Sequence, residues 1–83
     1  MGKKFAFFVT ETYVFFNDMS IHTFVRGIFD NYKDSAELMN KLYEEKEDMG
    51  IIKSVKKSVW DWTIKTNHTW IKTDIQGTYI DIQ

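Results

Sequence analysis

The sequence predicts a small two-layer α+β domain, in which an N-terminal strand, two helices and a C-terminal three-stranded antiparallel meander follow one another (β-α-α-β-β-β). Three observations lead to this fold class. The stretch from Ser58 to Gln83 alternates apolar and polar residues around two turn-like dipeptides. The middle of the chain repeats apolar residues at helical spacing. The 83 residues, 17% of them aromatic, suit one domain over residues 1–83.

The N-terminal segment from Lys3 to Phe16 carries aromatic and β-branched residues on both parities. This pattern is typical of a strand that is covered on both sides. The dipeptide Glu11-Thr12 offers no residue suited to a tight turn. The sequence therefore leaves open whether the segment is one bent strand or a hairpin, and a first strand ending near Thr10 is the preferred interpretation.

A first helix is predicted after Phe16, because Asn17, Asp18 and Ser20 can each accept a hydrogen bond from a free amide of a first helical turn. Apolar residues then recur at helical spacing. This predicted stripe consists of Ile21, Phe24, Val25, Ile28, Phe29 and Tyr32. Gly27 would cost such a helix roughly 1 kcal/mol relative to alanine.

A second helix is predicted to begin at Asp34, because Glu37 follows three residues later in an aspartate version of the capping box. Its apolar stripe consists of Leu38, Met39, Leu42, Tyr43 and Met49. Gly50 is well placed to end it in the left-handed conformation of a helix C-cap. The segment from Ile51 to Lys57 leads into the meander, either as a linker or as an early part of its first strand.

The meander is predicted from its turns, since loop length sets which residues face each other. A two-residue loop at Asn67-His68 pairs Thr66 with Thr69, Ile64 with Ile71, Trp62 with Thr73 and Asp61 with Asp74. A second loop at Gln76-Gly77 pairs Ile75 with Thr78. A bulge at Gly77 within one long strand is the competing explanation for the change of apolar parity there.

This register divides the predicted sheet into two faces. We expect the helices to cover the apolar face, which collects Trp60, Trp62, Ile64, Ile71, Ile75, Ile80 and Ile82. The opposite face would carry Trp70, with Lys65 directly opposite it and Lys72 beside it, and Tyr79 on the same face. Exposed tryptophan and tyrosine are the residues that most often anchor protein interfaces.

Composition excludes several classes of protein. The chain has no cysteine, hence neither disulfides nor thiolate metal sites, and we expect a reducing, cytoplasmic location. No apolar run approaches the roughly 18 residues of a membrane span, and the N-terminus lacks the pattern of a signal peptide, so we expect no membrane association. A net charge of −1 gives no general attraction to nucleic acid.

Motifs for catalysis, metals and cofactors are weak. His22 and His68 have no second ligand at metal-site spacing, so we predict no metal and no cofactor. Asp61 opposite Asp74 could form an acid–base pair or bind a divalent cation, but a solvated charge pair is the more ordinary interpretation. We therefore predict no catalytic residues and no enzyme activity.

The sequence predicts a non-enzymatic protein-interaction module that binds through Trp70, Tyr79, Lys65 and Lys72. The same aromatic and basic residues leave single-stranded nucleic-acid binding as the alternative function. The partner is expected to be a protein, with self-association as a homodimer left open. Composition further suggests a regulator or inhibitor of a host protein, encoded by a phage or mobile element.

Overall fold

The computed structural model describes residues 2–82, with only the backbone of Ile82. This part of the chain contains five strands and one helix, namely β1 (Gly2–Phe15), β2 (Ile21–Phe29), α1 (Tyr32–Asp48), β3 (Ser54–Lys57), β4 (Asp61–Lys65) and β5 (Thr69–Ile82). The strands form one antiparallel sheet in the order β2-β1-β5-β4-β3. The helix packs on one face, here called the inner face, and the other is called the outer face.

The predicted fold class is wrong in its number of helices and in its C-terminal meander. The element order is β-β-α-β-β-β, and most of the described chain is sheet. The predicted first helix is strand β2. Ile21, Thr23 and Val25 recur at every second position, which is the period of a strand. These β-branched side chains favour strands. The pairing of β2 with β1 supplies the backbone hydrogen bonds that a helix would have supplied internally.

The residues predicted to cap that helix form the loop between β1 and β2. The backbone N–H of Ser20 donates to Asp18 Oδ1 at 2.9 Å, and Met19 adopts a positive φ of 58°. Short polar side chains that accept bonds from nearby amides serve helix caps and turns equally well. These polar residues therefore indicated correctly that β1 ends here, but they did not indicate whether a helix or a strand follows.

The central strand of the sheet is β1, and it is one continuous strand rather than a strand ending near Thr10. It pairs with β5 from Gly2 to Phe15 and with β2 from Phe7 to Val14. A strand with neighbours on both sides has no solvent-exposed edge. In the described residues α1 covers only the inner face of β1, so Phe8 and Val14, on the other parity, lie on the outer face with no layer over them.

The helix α1 begins two residues earlier than predicted, at Tyr32, and Asn31 is its N-cap. The Asn31 side-chain oxygen accepts a hydrogen bond from the backbone N–H of Asp34 at 2.9 Å. The prediction for Gly50 is confirmed, since its φ is +68° just after the helix. No helix within residues 2–82 is long and apolar enough to cross a membrane.

The predicted turn at Gln76-Gly77 does not form, because β5 continues through it in an unbroken register with β1. The ring of Phe5 lies over Gly77, where an added Cβ would stand only 2.6 Å from Phe5 Cζ. Glycine here allows close approach of an aromatic ring rather than a change of direction. The segment from Ile51 to Lys57 contains β3, a separate strand that pairs with β4, rather than a linker or an early part of β4.

The predicted register of β4 and β5 is confirmed, with Trp62 opposite Thr73 and Ile64 opposite Ile71. The core lies between this part of the inner face and α1, and consists of Val9, Met39, Leu42, Trp62, Ile64, Ile71 and Ile75. The indole N–H of Trp62 donates to the carbonyl oxygen of Met39 at 3.0 Å, which joins sheet and helix. Ile80 lies on the outer face instead, and the side chain of Ile82 falls outside the described residues.

Candidate interaction surface

An uncovered apolar surface occupies part of the outer face, where no helix packs. We call it the outer patch, and it consists of Phe8, Val14, Ile21, Val25, Ile28 and Trp70. Ile21, Val25 and Ile28 on the edge strand are 66%, 60% and 61% exposed, and Trp70 is 43% exposed. Clustered exposed apolar side chains of this kind mark interaction sites more often than isolated ones do.

Cross-strand pairing holds the outer patch in place. Val14 stands directly opposite Trp70 on one side and opposite Ile21 on the other, so these three residues form a row across three strands. Phe8 stands opposite Ile28 in a second row. Because all these strands are hydrogen-bonded, the patch is already formed without a partner, which reduces the entropy cost of binding.

Three of the four residues predicted to bind a partner lie together on the outer face. Lys65 stands directly opposite Trp70, and Lys72 follows Trp70 by two positions on the same strand. The Trp70 ring also packs edge to face against Phe16, with ring centroids 4.9 Å apart. The two lysines lie on the β4 and β5 side of the face, next to the outer patch.

The fourth predicted residue, Tyr79, does not join this cluster. It lies on the inner face, where its ring packs against Phe5 with centroids 4.9 Å apart. The prediction placed Tyr79 on the same face as Trp70 through a turn at Gln76-Gly77. Because β5 is continuous, residues of odd and even number point to opposite faces throughout, and Tyr79 is separated from Trp70.

The aspartate pair is found where the sequence predicted it, with Asp61 directly opposite Asp74. Each carboxylate has partners of its own. Asp61 accepts a hydrogen bond from Ser58 Oγ at 2.7 Å and lies 4.0 Å from Lys72 Nζ. Asp74 accepts from the Thr10 hydroxyl and from the Gln76 side chain. These contacts fit a structural charge pair, and residues 2–82 contain no cluster of three potential metal ligands.

A buried ionic group lies on the inner face near the C-terminal end of α1. Glu11 is 1% exposed, and its Oε2 lies 3.2 Å from Lys46 Nζ without accepting a hydrogen bond. Arg26 Nη1 lies 3.8 Å from Glu11 Oε1. Burial, followed by the nearby Glu11 carboxylate, raises the pKa of the Tyr13 hydroxyl above its ordinary value. Glu11 thus has one close cation and one more distant cation.

A shallow recess of about 380 Å³ opens beside this ionic group. Its walls are largely aromatic, and it is lined by Glu11, Tyr13, Phe15, His22, Phe24 and Arg26. The volume is at the small end of the range for ligand sites. Half of the lining residues belong to β2, so the recess adjoins the edge of the sheet.

The two edge strands of the sheet are differently protected. The strand β3 has four residues, of which two are lysines, Lys56 and Lys57. The strand β2 has nine residues, with Arg26 as its one Lys, Arg, Asp or Glu. Short length and lysines are common ways to protect a sheet edge from pairing with another chain. The edge formed by β2 lacks both.

Sequence reasoning missed Ile21, Val25 and Ile28 as surface residues, because a helical stripe would have buried them. The strict alternation of β-branched residues at Ile21, Thr23 and Val25 was the signal that could have identified a strand. Comparison of the chain with protein-family models, with curated proteins and with solved structures finds no match.

Proposed function

We propose that this chain is a non-enzymatic protein-interaction module that binds a partner protein through the outer patch. The observation that carries the proposal is the row formed by Trp70, Val14 and Ile21, which lies across three paired strands with no helix over it. Burying such a surface against a complementary one gains about 25 cal/mol for each Å² of apolar area.

The charges beside the outer patch indicate what the partner should look like. Lys65 and Lys72 alternate on that side of the face with Asp61 and Asp74, so neither sign of charge dominates. A partner with an apolar centre and a mixed polar rim fits this arrangement, which is common in protein–protein interfaces. A role as a regulator or inhibitor carried by a phage or mobile element rests on composition alone and remains a prediction.

Single-stranded nucleic acid is a weaker candidate for the same face. A stacking platform gains from several exposed aromatic rings beside cations, whereas Tyr79 lies on the other face. Asp61 and Asp74 would also stand close to the phosphates. Titration with labelled single-stranded oligonucleotides at low salt tests this alternative, and tight, salt-sensitive binding that is lost with Trp70→Ala would favour it over a protein partner.

The main test uses affinity capture from the native host with three variants. We expect Val25→Lys and Trp70→Ala to remove a protein that the wild-type chain retains. Tyr79→Ala is the matched control, since Tyr79 is an exposed aromatic residue of the same strand on the opposite face. It should leave capture unchanged.

The captured protein would then be purified, and its affinity for each variant measured by calorimetry. We expect at least a tenfold weaker affinity for Trp70→Ala, since truncating a central aromatic anchor costs roughly 2 kcal/mol or more. Equal affinity for wild type and Val25→Lys, or an equal loss with Tyr79→Ala, would contradict the proposal.

A further inference from the structure

The free edge of β2 is a second surface, formed by backbone groups, which adjoins the outer patch and shares Ile21 and Val25 with it. The backbone N–H of Phe15 donates to the carbonyl oxygen of Ser20 at 3.0 Å. In an antiparallel ladder this pairing alternates, so the backbone groups of Ile21, Thr23 and Val25 point away from β1. The stretch from Ile21 to Val25 contains no Asp, Glu, Lys, Arg, proline or glycine, so within it the edge carries no residue that usually protects against pairing. The register shift between β1 and β2 lies just beyond this stretch, at Arg26.

We propose that β2 pairs antiparallel with β2 of a second copy of this chain, about a twofold axis at Thr23. Two five-stranded sheets then join into one continuous sheet with both helices on the same side. Ile21 faces Val25 of the second copy, His22 faces its Phe24, and the two Thr23 side chains face each other. Cross-strand pairs of β-branched residues and of threonines are favourable.

The neighbouring registers are less favourable, which is why the axis lies at Thr23. An axis at Phe24 would set His22 opposite Arg26, in place of Ser20 and the Asp18 carboxylate beside it, so the guanidinium would lose that partner. An axis at His22 would set the two imidazoles directly opposite each other. In the proposed register the paired stretch is self-complementary and brings no like charges together.

Opposite charges meet at both ends of the paired strands. Arg26 falls opposite Ser20 of the second copy, and the Asp18 carboxylate is held beside Ser20 by its hydrogen bond from the Ser20 backbone N–H. The hydrogen bonds from Ser20 also hold the pKa of Asp18 below its ordinary value, so this carboxylate stays charged. The 3.8 Å contact of Arg26 with Glu11 leaves other guanidinium donors for this second carboxylate.

In the dimer, the aromatic recess beside β2 would gain a further aromatic ring at its rim. Phe24 of the second copy would lie next to His22 at the rim, where His22 already packs edge to face against Phe15 with centroids 5.5 Å apart. On the outer face, Val25 of the second copy would extend the row of Trp70, Val14 and Ile21. The dimer does not depend on the proposed function, because it uses the strand edge and leaves the outer face open.

Sedimentation equilibrium of the full chain at increasing concentrations tests the proposal. We expect the wild type to shift from the monomer mass of 9.9 kDa toward twice that value. The double variant Ile21→Lys/Val25→Lys should stay monomeric, because lysines would face each other in the proposed register. The double variant Ile21→Lys/Val25→Glu should dimerise, because each lysine then faces a glutamate of the second copy, and added salt should weaken that dimer.

Three results would overturn the proposal: a wild type that stays monomeric at every concentration, a dimer of the Lys/Lys variant, or a loss of dimer in both variants. The last result is the one expected if two outer faces packed together instead. Circular dichroism of each variant checks that the monomer is folded.

A cysteine cross-link tests the register without adding charge. The chain has no cysteine of its own. Under oxidised glutathione, Thr23→Cys should form a disulfide-linked dimer, because hydrogen-bonded partners in an antiparallel pair have Cα atoms about 5.5 Å apart. Ile21→Cys is the control, since its counterpart would lie more than about 13 Å away along the strands. Equal cross-linking of the two variants would contradict a twofold axis at Thr23.

Discussion

Trp62 and Trp70 lie on neighbouring strands of one hairpin, but their surroundings differ completely. Trp62 points to the inner face, is 0% exposed and donates its indole N–H to Met39 of the helix. Trp70 points to the outer face and packs against the single ring of Phe16, with much of its surface left uncovered. Trp62 links the two layers, whereas Trp70 stays partly exposed, because α1 covers only the inner face.

The largest effect is expected from Trp62→Ala, which leaves a cavity between sheet and helix and removes the indole hydrogen bond to the Met39 carbonyl. We expect a loss of about 3–5 kcal/mol in the free energy of unfolding, which approaches the whole stability of a domain of this size. Urea unfolding followed by circular dichroism measures it. If the variant is unfolded in buffer, Trp62→Phe gives a smaller, measurable loss. A loss below that of Trp70→Ala would contradict the contrast between the faces.

Glu11→Gln tests the buried ionic group of the inner face. The amide keeps the size of the side chain but leaves Lys46 buried without its carboxylate, and we expect a loss of about 3 kcal/mol. Asp74→Asn on the outer face is the control, since a partly exposed carboxylate contributes about 1 kcal/mol or less. Thermal unfolding of the two variants at pH 7 compares them. Equal losses would show that burial does not distinguish the two carboxylates.

Gly27→Ala tests the close contact between β2 and the helix. An added Cβ would stand 2.7 Å from Phe29 Cε2 and 2.9 Å from Leu38 Cδ2. Since these side chains have to shift, we expect a loss of about 1–3 kcal/mol. Gly2→Ala, whose Cβ would meet nothing within 4 Å, should leave stability nearly unchanged. A fully stable Gly27→Ala would mean that β2 and α1 are less closely packed than described.

The smallest effect on stability is expected from Trp70→Ala. It removes one aromatic contact with Phe16 and no hydrogen bond of the indole to the described chain, so we expect a loss of about 0.5–1 kcal/mol. The same urea titration used for Trp62→Ala measures it directly. A loss as large as that of Trp62→Ala would make Trp70 a core residue and remove the basis of the proposed interaction surface.

Predictions from the sequence were most reliable where a short stretch of residues is compatible with only one local structure. The Asn67-His68 loop set the register of β4 and β5, since loop length determines which residues face each other, and this placed Asp61 opposite Asp74. Gly50 ended the helix because left-handed backbone favours glycine. The placement of Lys65 and Lys72 around Trp70 followed from the same register.

Sequence reasoning failed where one local pattern fits two structures. The stretch from Ile21 to Phe29 matches a helical stripe and a strand alternation, and only the long pairing partner in β1 makes the strand favourable. Gly77 fits a turn, a bulge or a close contact, and the ring of Phe5 made it a close contact. Because β5 does not turn at Gly77, Tyr79 lies on the inner face. A shift of one residue along a strand moves every later side chain to the opposite face.

The sequence by itself determined the apolar content, the hairpin between β4 and β5 and the helix that ends just before Gly50, because these depend on neighbours close along the chain. Only the tertiary structure decided that β1 is central, that β2 is a strand at the edge and that one helix covers one face. These features depend on contacts between distant segments, such as β1 with β5. The exposed outer patch and the free edge of β2 follow from that arrangement.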